Sequence, residues 1–392
     1  MQISDIHIHS VSVPRIYNTR VAPAGGHGSG KDNSHYYLLE FATSSGLRGL
    51  GEISDIEDAW QAPPPERLRE SLLTPLATAD PLLRRPTWQR VNEALPTDYH
   101  PEFRHLVSSA VDVALLDLVG KHYNAPAHAL MGGKHREAVA VSWVAFIRSA
   151  EELADEIQQK VNAGFTAFKL KVGADFELDC ERVRVLRRIA GPGAYLKADA
   201  SGAWDEQEAI DRIRQLASLG IDAVETPLRH ISRAIAKDHP ERINADPDAA
   251  AAALARVRDA VPVDIIEHVA DFSDAFALAL MHHKAADIFN IVPVQAGSLH
   301  RAQRLIQLAE AGGMPVLLGS TVELGIGTAA ALHLGIASSS VTIASDLVGP
   351  GLLAGDVVAP RLAYRQGQLH APRGVGLGVD LVPALIEQYR TR

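Results

Sequence analysis

The spacing of hydrophobic positions changes three times along the chain. Up to about residue 60, short alternating runs separated by turn residues predict a small antiparallel sheet. From about residue 64 to 123, apolar residues recur at three- and four-residue spacing, which predicts helices. Beyond residue 135, short apolar runs alternate with amphipathic segments, and the chain ends in further short strands after Leu352.

Eight apolar runs in the middle of the chain have the length of buried strands. Most are separated by an amphipathic segment, and strand–helix repeats of about 25 to 30 residues are typical of a parallel (β/α) barrel. No G-x-G-x-x-G motif follows any of the runs, which disfavours an open dinucleotide-binding sheet. The runs are 139–146, 166–172, 194–200, 222–225, 263–269, 287–292, 315–320 and 341–345.

These patterns predict an α/β fold with a (β/α) TIM-type barrel at residues 135–350. Residues 1–134 and the tail 351–392 are predicted to form an α+β capping domain. Within that domain, a glycine-rich polar segment at about 20–35 predicts an irregular loop, which we interpret as a lid over the barrel mouth. His27 and Lys31 would then contact the distal end of a substrate.

Charged residues recur where the predicted strands end. Functional side chains of (β/α) barrels lie at the carboxyl ends of the strands. Lys169 and Lys171 are two residues apart in the second run, so both face one side. A second ammonium group nearby lowers the pKa of a lysine, as a general base at neutral pH requires. The next three runs end with Asp199, Glu225 and Glu267.

Three carboxylates on neighbouring strand ends would repel one another. Each pair would cost about 4 kcal/mol at 4 Å and an effective dielectric constant of 20. A divalent cation would remove this conflict, and oxygen ligands favour Mg²⁺ or Mn²⁺. The alternative is that the acids pair with lysines and arginines of the loops.

Composition and charge narrow the classes of function. The net charge of −9 without a basic run argues against a nucleic-acid partner. The single cysteine, Cys180, excludes an intramolecular disulfide. We expect no membrane partner, because no apolar segment approaches 18 residues without a charge. The polar N-terminal residues do not match a signal peptide, so the expected location is the cytoplasm.

An ordered set of motifs resembles the enolase superfamily, and within it the muconate lactonizing enzyme group of the mandelate racemase and muconate lactonizing enzyme family. The resemblance extends over the whole chain. Its motifs are MGGK (131–134), KLK (169–171), DASGAWDEQ (199–207), ETP (225–227), IEH (266–268), GSTVELGIGTAAALHL (319–334) and GVGLGVD (374–380).

The resemblance implies a metal-dependent enzyme acting on a small-molecule carboxylate. Asp199, Glu225 and Glu267 would bind Mg²⁺, with Mn²⁺ as an alternative, and the metal would stabilise an enolate formed when the α-proton leaves. Lys171 would be the acid/base, and Lys169 would lower its pKa and touch the substrate carboxylate. The resemblance also implies a symmetric homo-oligomer.

The remaining site residues follow from the same resemblance. Glu323, at the end of the seventh run, matches a position beside the substrate or its metal, and the neighbouring Ser320 and Thr321 are expected to bind substrate. His268 follows the third expected ligand and would supply a proton to a leaving group. The long insertion before Glu267 leaves Asp264 as an alternative ligand.

Two departures from the family pattern bear on the reaction. Val292 occupies the place where racemising and cycloisomerising relatives commonly carry another lysine, and Ser201 replaces an asparagine. With a base on one face only, β-elimination from a hydroxy or sugar acid and cycloisomerisation are favoured. The alternatives are a racemase or epimerase of a carboxylate and, in another class, a degenerate barrel that binds without catalysis.

The segment SDIHIHS suggests a different metal site. An H-x-H pair at the end of a first barrel strand is typical of amidohydrolases, with His7 and His9 as ligands. The eight-strand series begins only near residue 139, so these histidines are predicted to belong to the attached sheet.

Overall fold

The computed structural model describes residues 1–22, 30–231 and 246–391. Its first unit is a three-stranded antiparallel sheet in the order β1–β2–β3. Alternating buried and exposed residues along these strands place one face against helices, as a half-buried sheet requires. The strands are β1 Ile3–Thr19, β2 Lys31–Thr43 and β3 Arg48–Ile53.

Three helices cover this sheet, and the longest lies unusually close to β3. A Cβ added to Gly49 would lie 2.4 Å from the carbonyl oxygen of Ala114, and one added to Gly51 would lie 2.2 Å from that of Ala110. Only glycine allows this approach, which brings the helix onto the strand that leads to the barrel mouth. The helices are α1 Pro65–Leu76, α2 Arg84–Ala94 and α3 Pro101–His122.

A seven-stranded parallel sheet forms most of the barrel, in the order β11–β10–β9–β8–β7–β6–β5. The sequential order reflects the repeated strand–helix units, because each helix returns the chain to the neighbouring strand. After the short β4 Ala138–Ala140, the barrel strands are β5 Ser142–Ala145, β6 Ala167–Lys171, β7 Tyr195–Asp199, β8 Ala223–Glu225, β9 Asp264–His268, β10 Ile288–Ile291 and β11 Val316–Leu318.

The eighth predicted run closes the barrel through single bridges rather than a regular strand. Val341 bridges to Val316 of β11, and Ser345 bridges to Val141 beside β5, both in parallel. The backbone N–H of Asp346 also donates to the carbonyl of Leu318 at 2.8 Å. The predicted fold class, a (β/α) barrel with a capping domain, is confirmed; the domain limits at 134 and 350 stay predictions.

The helices of the barrel begin where the sequence supplies capping side chains. Ser149 with Glu152, and Asp205 with Glu208, form capping boxes at the starts of α4 and α6. Within the described residues the helices of this part are α4 Ala150–Asn162, α5 Phe176–Ala190, α6 Glu206–Ser218, α7 Pro247–Ala260, α8 Asp274–His282, α9 Leu299–Ala311 and α10 Gly325–Ile336.

The C-terminal tail returns to the N-terminal sheet. The N–H of Thr391 donates to the carbonyl of Ser10 in β1 at 3.0 Å, and Arg390 bridges to Val11. The tail contains α11 Gly349–Leu352, β12 Val358–Ala359, β13 Gln368–His370, β14 Asp380–Leu381 and α12 Pro383–Tyr389.

Buried polar contacts fix the capping sheet on the barrel mouth. Glu52 of β3 accepts hydrogen bonds from the backbone N–H groups of Leu324 and Gly327, both at 2.8 Å, at the start of α10. The hydroxyl of Tyr36 in β2 donates to the carbonyl of Val322 at 2.6 Å. These contacts position the loop after β11 beneath the capping sheet.

The structure also tests the predictions made for the histidines of the first strand and for a membrane-spanning helix. His9 lies in β1, where its Nε2 is 3.2 Å from Glu40 in β2, so His7 and His9 belong to the capping sheet and not to a barrel strand. Across the described ranges, the helices lack the combination of length and apolar character needed to cross a membrane.

Candidate active site at the mouth of the barrel

A cavity of about 190 Å³ lies between the carboxyl ends of the barrel strands and the capping sheet. The barrel contributes charged and polar residues to its lining, and the capping domain contributes both charged and apolar ones. The barrel-side residues that matter for the chemistry are Lys169, Lys171, Asp199, Ser201, Glu225, His268, Asn290, Ser320, Thr321 and Asp346.

Strand register brings the predicted lysines and two of the predicted acids together. Lys171 is paired with Asp199, and Asp199 is paired with Glu225, so all three end their strands at one level. Because side chains alternate along a strand, Lys169 faces the same side as Lys171, one layer deeper. The sequence pattern therefore located a real cluster at the mouth.

The lysines of the cluster are paired with carboxylates. Nζ of Lys171 lies 2.6 Å from Oδ2 of Asp199. Nζ of Lys169 lies 3.0 Å from Asp199, 2.9 Å from Glu225 and 2.9 Å from Asp346. Lys169 was expected to lower the pKa of Lys171 and to touch the substrate carboxylate, but three acids surround it.

These contacts set the protonation states. Burial alone would lower the pKa of Lys169, but Asp199, Asp346 and Glu225 raise it well above its ordinary value. Burial would raise the pKa of Asp199, yet Lys169 and Lys171 hold it well below its usual range. Despite its burial, Glu225 has a pKa lowered to about 2, mainly by Lys169. Both acids are therefore charged at neutral pH.

An imidazole completes the cluster. Nε2 of His268 lies 3.3 Å from Oε1 of Glu225, and the amide of Asn290 donates to the same oxygen at 2.8 Å. Burial disfavours the charged form of His268, but the hydrogen bond to Glu225 raises its pKa above the ordinary value. His268 lines the cavity and holds a proton more readily than a free imidazole, and its role as a proton donor stays a prediction.

Glu267 is hydrogen-bonded to Thr226 and to the backbone of His268 and does not line the cavity with the other two acids, although the charge of Glu225 helps to raise its pKa. Its Oε1 accepts hydrogen bonds from Thr226 Oγ1 at 2.8 Å and from the backbone N–H of His268 at 2.9 Å. Burial raises the pKa of Glu267 to about 8, and its side chain is absent from the cavity lining. The alternative ligand, Asp264, lies at the opposite end of β9 and is exposed.

Glu323 is also withdrawn from the cavity. Its carboxylate accepts hydrogen bonds from the hydroxyl of Ser320 and from both the N–H and the hydroxyl of Thr321, at 2.8 and 2.9 Å for the latter two. Burial raises its pKa. Ser320 and Thr321 do line the cavity, and Thr321 contacts Ser54 of the capping domain at 2.8 Å. Glu323 thus shapes the loop that presents them.

The expected three-carboxylate magnesium site is not assembled. Among residues 1–22, 30–231 and 246–391, no group of three or more His, Cys, Asp or Glu side chains is arranged to hold a metal ion. Asp199 and Glu225 have the oxygen donors that Mg²⁺ prefers, but the titratable side chain that the next strand places beside Glu225, at 3.3 Å, is the imidazole of His268. The donor set therefore does not fit the ion that the motifs implied.

The capping domain supplies a second charged group that the sequence pattern found only in part. Nζ of Lys31 lies 2.9 Å from Asp55, and Nη2 of Arg15 lies 2.9 Å from the other oxygen of the same carboxylate. All three residues line the cavity. Arg15 and Asp55 carry no local sequence signal, because they meet only when β1 and the residues after β3 come together. His27 lies outside the described residues.

Two more residues of the barrel were missed. Asp346 follows the eighth apolar run, and the strand-end rule that located Asp199 could have located it too. Lys197 is fully buried on β7 and its Nζ lies 2.7 Å from Asp346. It stands two residues before Asp199, in the same relation as Lys169 to Lys171.

Comparison with known proteins matches both parts of the chain. Residues 152–385 match the enolase C-terminal domain-like family, and residues 17–132 match the N-terminal domain of the mandelate racemase/muconate lactonizing enzyme family.

Individual relatives agree with this match. The chain is 30% identical over 359 residues to muconate cycloisomerase 1 of Pseudomonas putida, covering 91% of this chain and 90% of that protein. It is 30% identical over 274 residues to the L-Ala-D/L-Glu epimerase of Clostridium acetobutylicum, covering 69% and 71%. The solved muconate lactonizing enzyme of Pseudomonas fluorescens, complexed with muconolactone, has a TM-score of 0.85 at 25% identity and covers 100% and 99% of the two chains.

Proposed function

Because the chain is an enzyme of the mandelate racemase/muconate lactonizing enzyme family of the enolase superfamily, we propose that its cavity binds a small carboxylate and that Lys171 transfers a proton at the adjacent carbon. The reaction that we propose is a cycloisomerisation. Relatives named as muconate cycloisomerases, one of them 30% identical over most of its length, support this choice.

The different surroundings of the two lysines of β6 support Lys171 as the acid/base. Nζ of Lys169 lies within 3.0 Å of three carboxylates, which are enough to occupy the three donors of its ammonium group. Lys171 is paired with one acid among the described residues, Asp199, and its side chain is 18% exposed at the cavity. Lys171 is therefore the group that can reach a substrate carbon.

The apolar side chain of Val292 is the observation on which we base the choice between the reactions. Val292 follows β10, lines the cavity and is 2% exposed, so an apolar side chain stands where racemising and cycloisomerising relatives commonly carry another lysine, and a reaction that needs two bases has no second base at this position. Transfer of a proton between the two faces of one carbon needs an acid and a base on opposite sides. A cycloisomerisation needs only one group, which both removes and returns the proton.

The proposed step balances with Lys171 alone. In the lactone-forming direction, a second carboxylate of the substrate forms a C–O bond at the β-carbon, and the electron pair of the double bond moves towards the first carboxylate. The Lys171 ammonium then donates a proton to the α-carbon. In the reverse direction, the neutral amine takes this proton and the C–O bond breaks.

β-Elimination from a hydroxy or sugar acid is the second reaction that a single base supports. It needs a proton for the leaving hydroxyl, and His268 faces the cavity with a pKa raised above its ordinary value. Lys171 would remove the α-proton, and His268 would protonate the departing oxygen. A symmetric homo-oligomer stays a prediction for either reaction.

Exchange of the α-proton with deuterium tests the proposal. The enzyme is incubated in D₂O with muconate-like diacids, their lactones and acid sugars, and label at the α-carbon is followed by NMR. We expect exchange with one diacid or lactone, and a loss of about 10²–10⁴-fold in Lys171→Ala. Lys134→Ala, which removes a surface lysine paired with Glu137, is the matched control and should exchange normally.

The other outcomes are informative. Exchange that survives in Lys171→Ala would overturn the assignment of the base. Label in both enantiomers of an epimerised substrate would favour an epimerase. Elimination of a hydroxy acid would favour the dehydratase, and no exchange with any carboxylate would overturn the proposed proton transfer.

A further inference from the structure

Asp199 and Glu225 end two neighbouring strands, β7 and β8. At the end of the next strand, β9, the side chain that faces the cluster is the imidazole of His268 instead of a carboxylate. Glu225 of β8 is paired with Ile266 of β9. Ile266 belongs to the apolar cluster inside the barrel, whereas Ile265 packs in the main core with the surrounding helices. Side chains alternate along the strand, so His268 faces inward with Ile266, and Glu267 faces the helices.

Three of the four carboxylate oxygens of the two remaining acids accept hydrogen bonds, and Oε2 of Glu225, which has no hydrogen-bond partner among the described residues, lies 2.9 Å from Nζ of Lys169. Oδ1 of Asp199 accepts from the N–H of Ser201 at 2.8 Å and from its hydroxyl at 2.9 Å, while Oδ2 faces Lys171 and Lys169. Glu225 accepts from Lys169 at 2.9 Å and from Asn290 at 2.8 Å. A metal ion at these oxygens would have to displace the lysine ammonium groups.

The charges of the cluster balance without a further ion. The carboxylates of Asp199, Glu225 and Asp346 alternate with the ammonium groups of Lys169, Lys171 and Lys197. A divalent cation would add two charges to this balanced set. Mg²⁺ also prefers oxygen ligands, and the third inward side chain offers nitrogen.

His268 lines the cavity, and one of its two ring nitrogens is engaged with the cluster. Its Nε2 is engaged with Glu225 and Asn290, and its Nδ1 has no hydrogen-bond partner among the described residues. We infer that the ammonium of Lys169, in place of a magnesium ion, is the cation that holds Asp199 and Glu225 together. On the proposed function, the substrate carboxylate then binds directly to Lys171, whose side chain is 18% exposed at the cavity.

Isothermal titration of the full chain with Mg²⁺ and Mn²⁺ tests this inference without any turnover. We expect no saturable binding to the wild type at metal concentrations up to about 1 mM, which excludes a dissociation constant in or below the micromolar range. His268→Asp places a third inward carboxylate beside Glu225 and should gain saturable Mg²⁺ binding with at least a tenfold change in affinity. His268→Asn is the matched control and should stay without binding.

A second variant keeps the test decisive if His268→Asp does not fold. Lys169→Met removes the resident ammonium and should also raise affinity for Mg²⁺. Saturable binding of either ion to the wild type would overturn the inference, as would an absence of gain in both folded variants. Failure of the D₂O exchange alone would count against the proposed function and leave the binding result intact.

Discussion

Oδ2 of Asp346 lies 2.9 Å from Nζ of Lys169, and the whole contact is buried. The other oxygen of Asp346 lies 2.7 Å from Nζ of Lys197. Charges therefore alternate from Lys197 through Asp346, Lys169 and Asp199 to Lys171 at the cavity. Because Asp346 follows the run that closes the barrel, this alternation joins barrel closure to the position of the acid/base.

Asp346→Asn should destabilise the fold strongly. It leaves two buried ammonium groups with too little negative charge, and breaking a buried pair in this way costs about 3–5 kcal/mol. Urea denaturation measures the change in the free energy of unfolding. Asp98→Asn, which breaks an exposed pair with Arg67, is the matched control and should have little effect. Equally small changes in the free energy of unfolding of both variants would show that the buried pairs stabilise the fold no more than the exposed pair does.

The strand-end rule predicted Lys169, Lys171, Asp199 and Glu225 correctly as neighbours because regular pairing fixes their level and face. It could not fix the face of Glu267. Ile265 and Ile266 are both buried, one on each side of β9. The strand therefore lacks the alternation of apolar and polar residues that would show which side chains face the barrel interior. A one-residue change of phase moves every side chain to the other face.

The irregular closure of the barrel and the contacts of the capping domain could not be predicted from local sequence patterns. The eight apolar runs correspond to the barrel in the structure, but the last is joined only by bridges, since its residues pair irregularly on both sides. The contact of Arg15 with Asp55 joins residues 40 apart and depends on how β1 and β3 are arranged. Such contacts depend on the tertiary fold, and no periodic pattern of residues in the sequence indicates them.

Val292→Lys should add a second base to the site. We expect solvent deuterium to enter the α-carbon in both configurations, with a stability loss of about 1–3 kcal/mol because the position is 2% exposed. Val292→Met has a similar length without an amine and should label one configuration only. Chiral chromatography of the labelled product makes the comparison. Labelling of one configuration by both variants would mean that Val292 does not face the reacting carbon.

Lys31→Ala should weaken substrate binding and leave the chemical step unchanged. Lys31 lines the capping side of the cavity and pairs with Asp55, apart from the proton-transferring Lys171. For a substrate with a distal carboxylate, we expect KM to rise about tenfold with kcat within about twofold, the pattern of a lost uniform binding contact. Steady-state kinetics beside Lys134→Ala provide the measurement. A fall in kcat at constant KM would contradict a binding role.

Glu267→Gln should change how stability depends on pH. Burial raises the pKa of Glu267 to about 8, above its ordinary value of 4.5. Between these two pH values the folded protein binds one proton more than the unfolded chain, so this group lowers stability as pH rises, by up to about 1.4 kcal/mol per pH unit. Below pH 4.5 its contribution is constant, and above pH 8 the loss is complete.

The glutamine variant removes this titration but keeps an oxygen that accepts from Thr226 and from the N–H of His268. Urea denaturation from pH 5 to pH 8 should therefore show a flatter profile for Glu267→Gln, with the variant more stable than the wild type at pH 8. Glu387→Gln changes an exposed acid and should follow the wild-type profile. Parallel profiles for all three proteins would show that Glu267 is already ionised in the fold. A full loss of proton exchange in folded Glu267→Gln would instead return this carboxylate to the catalytic site.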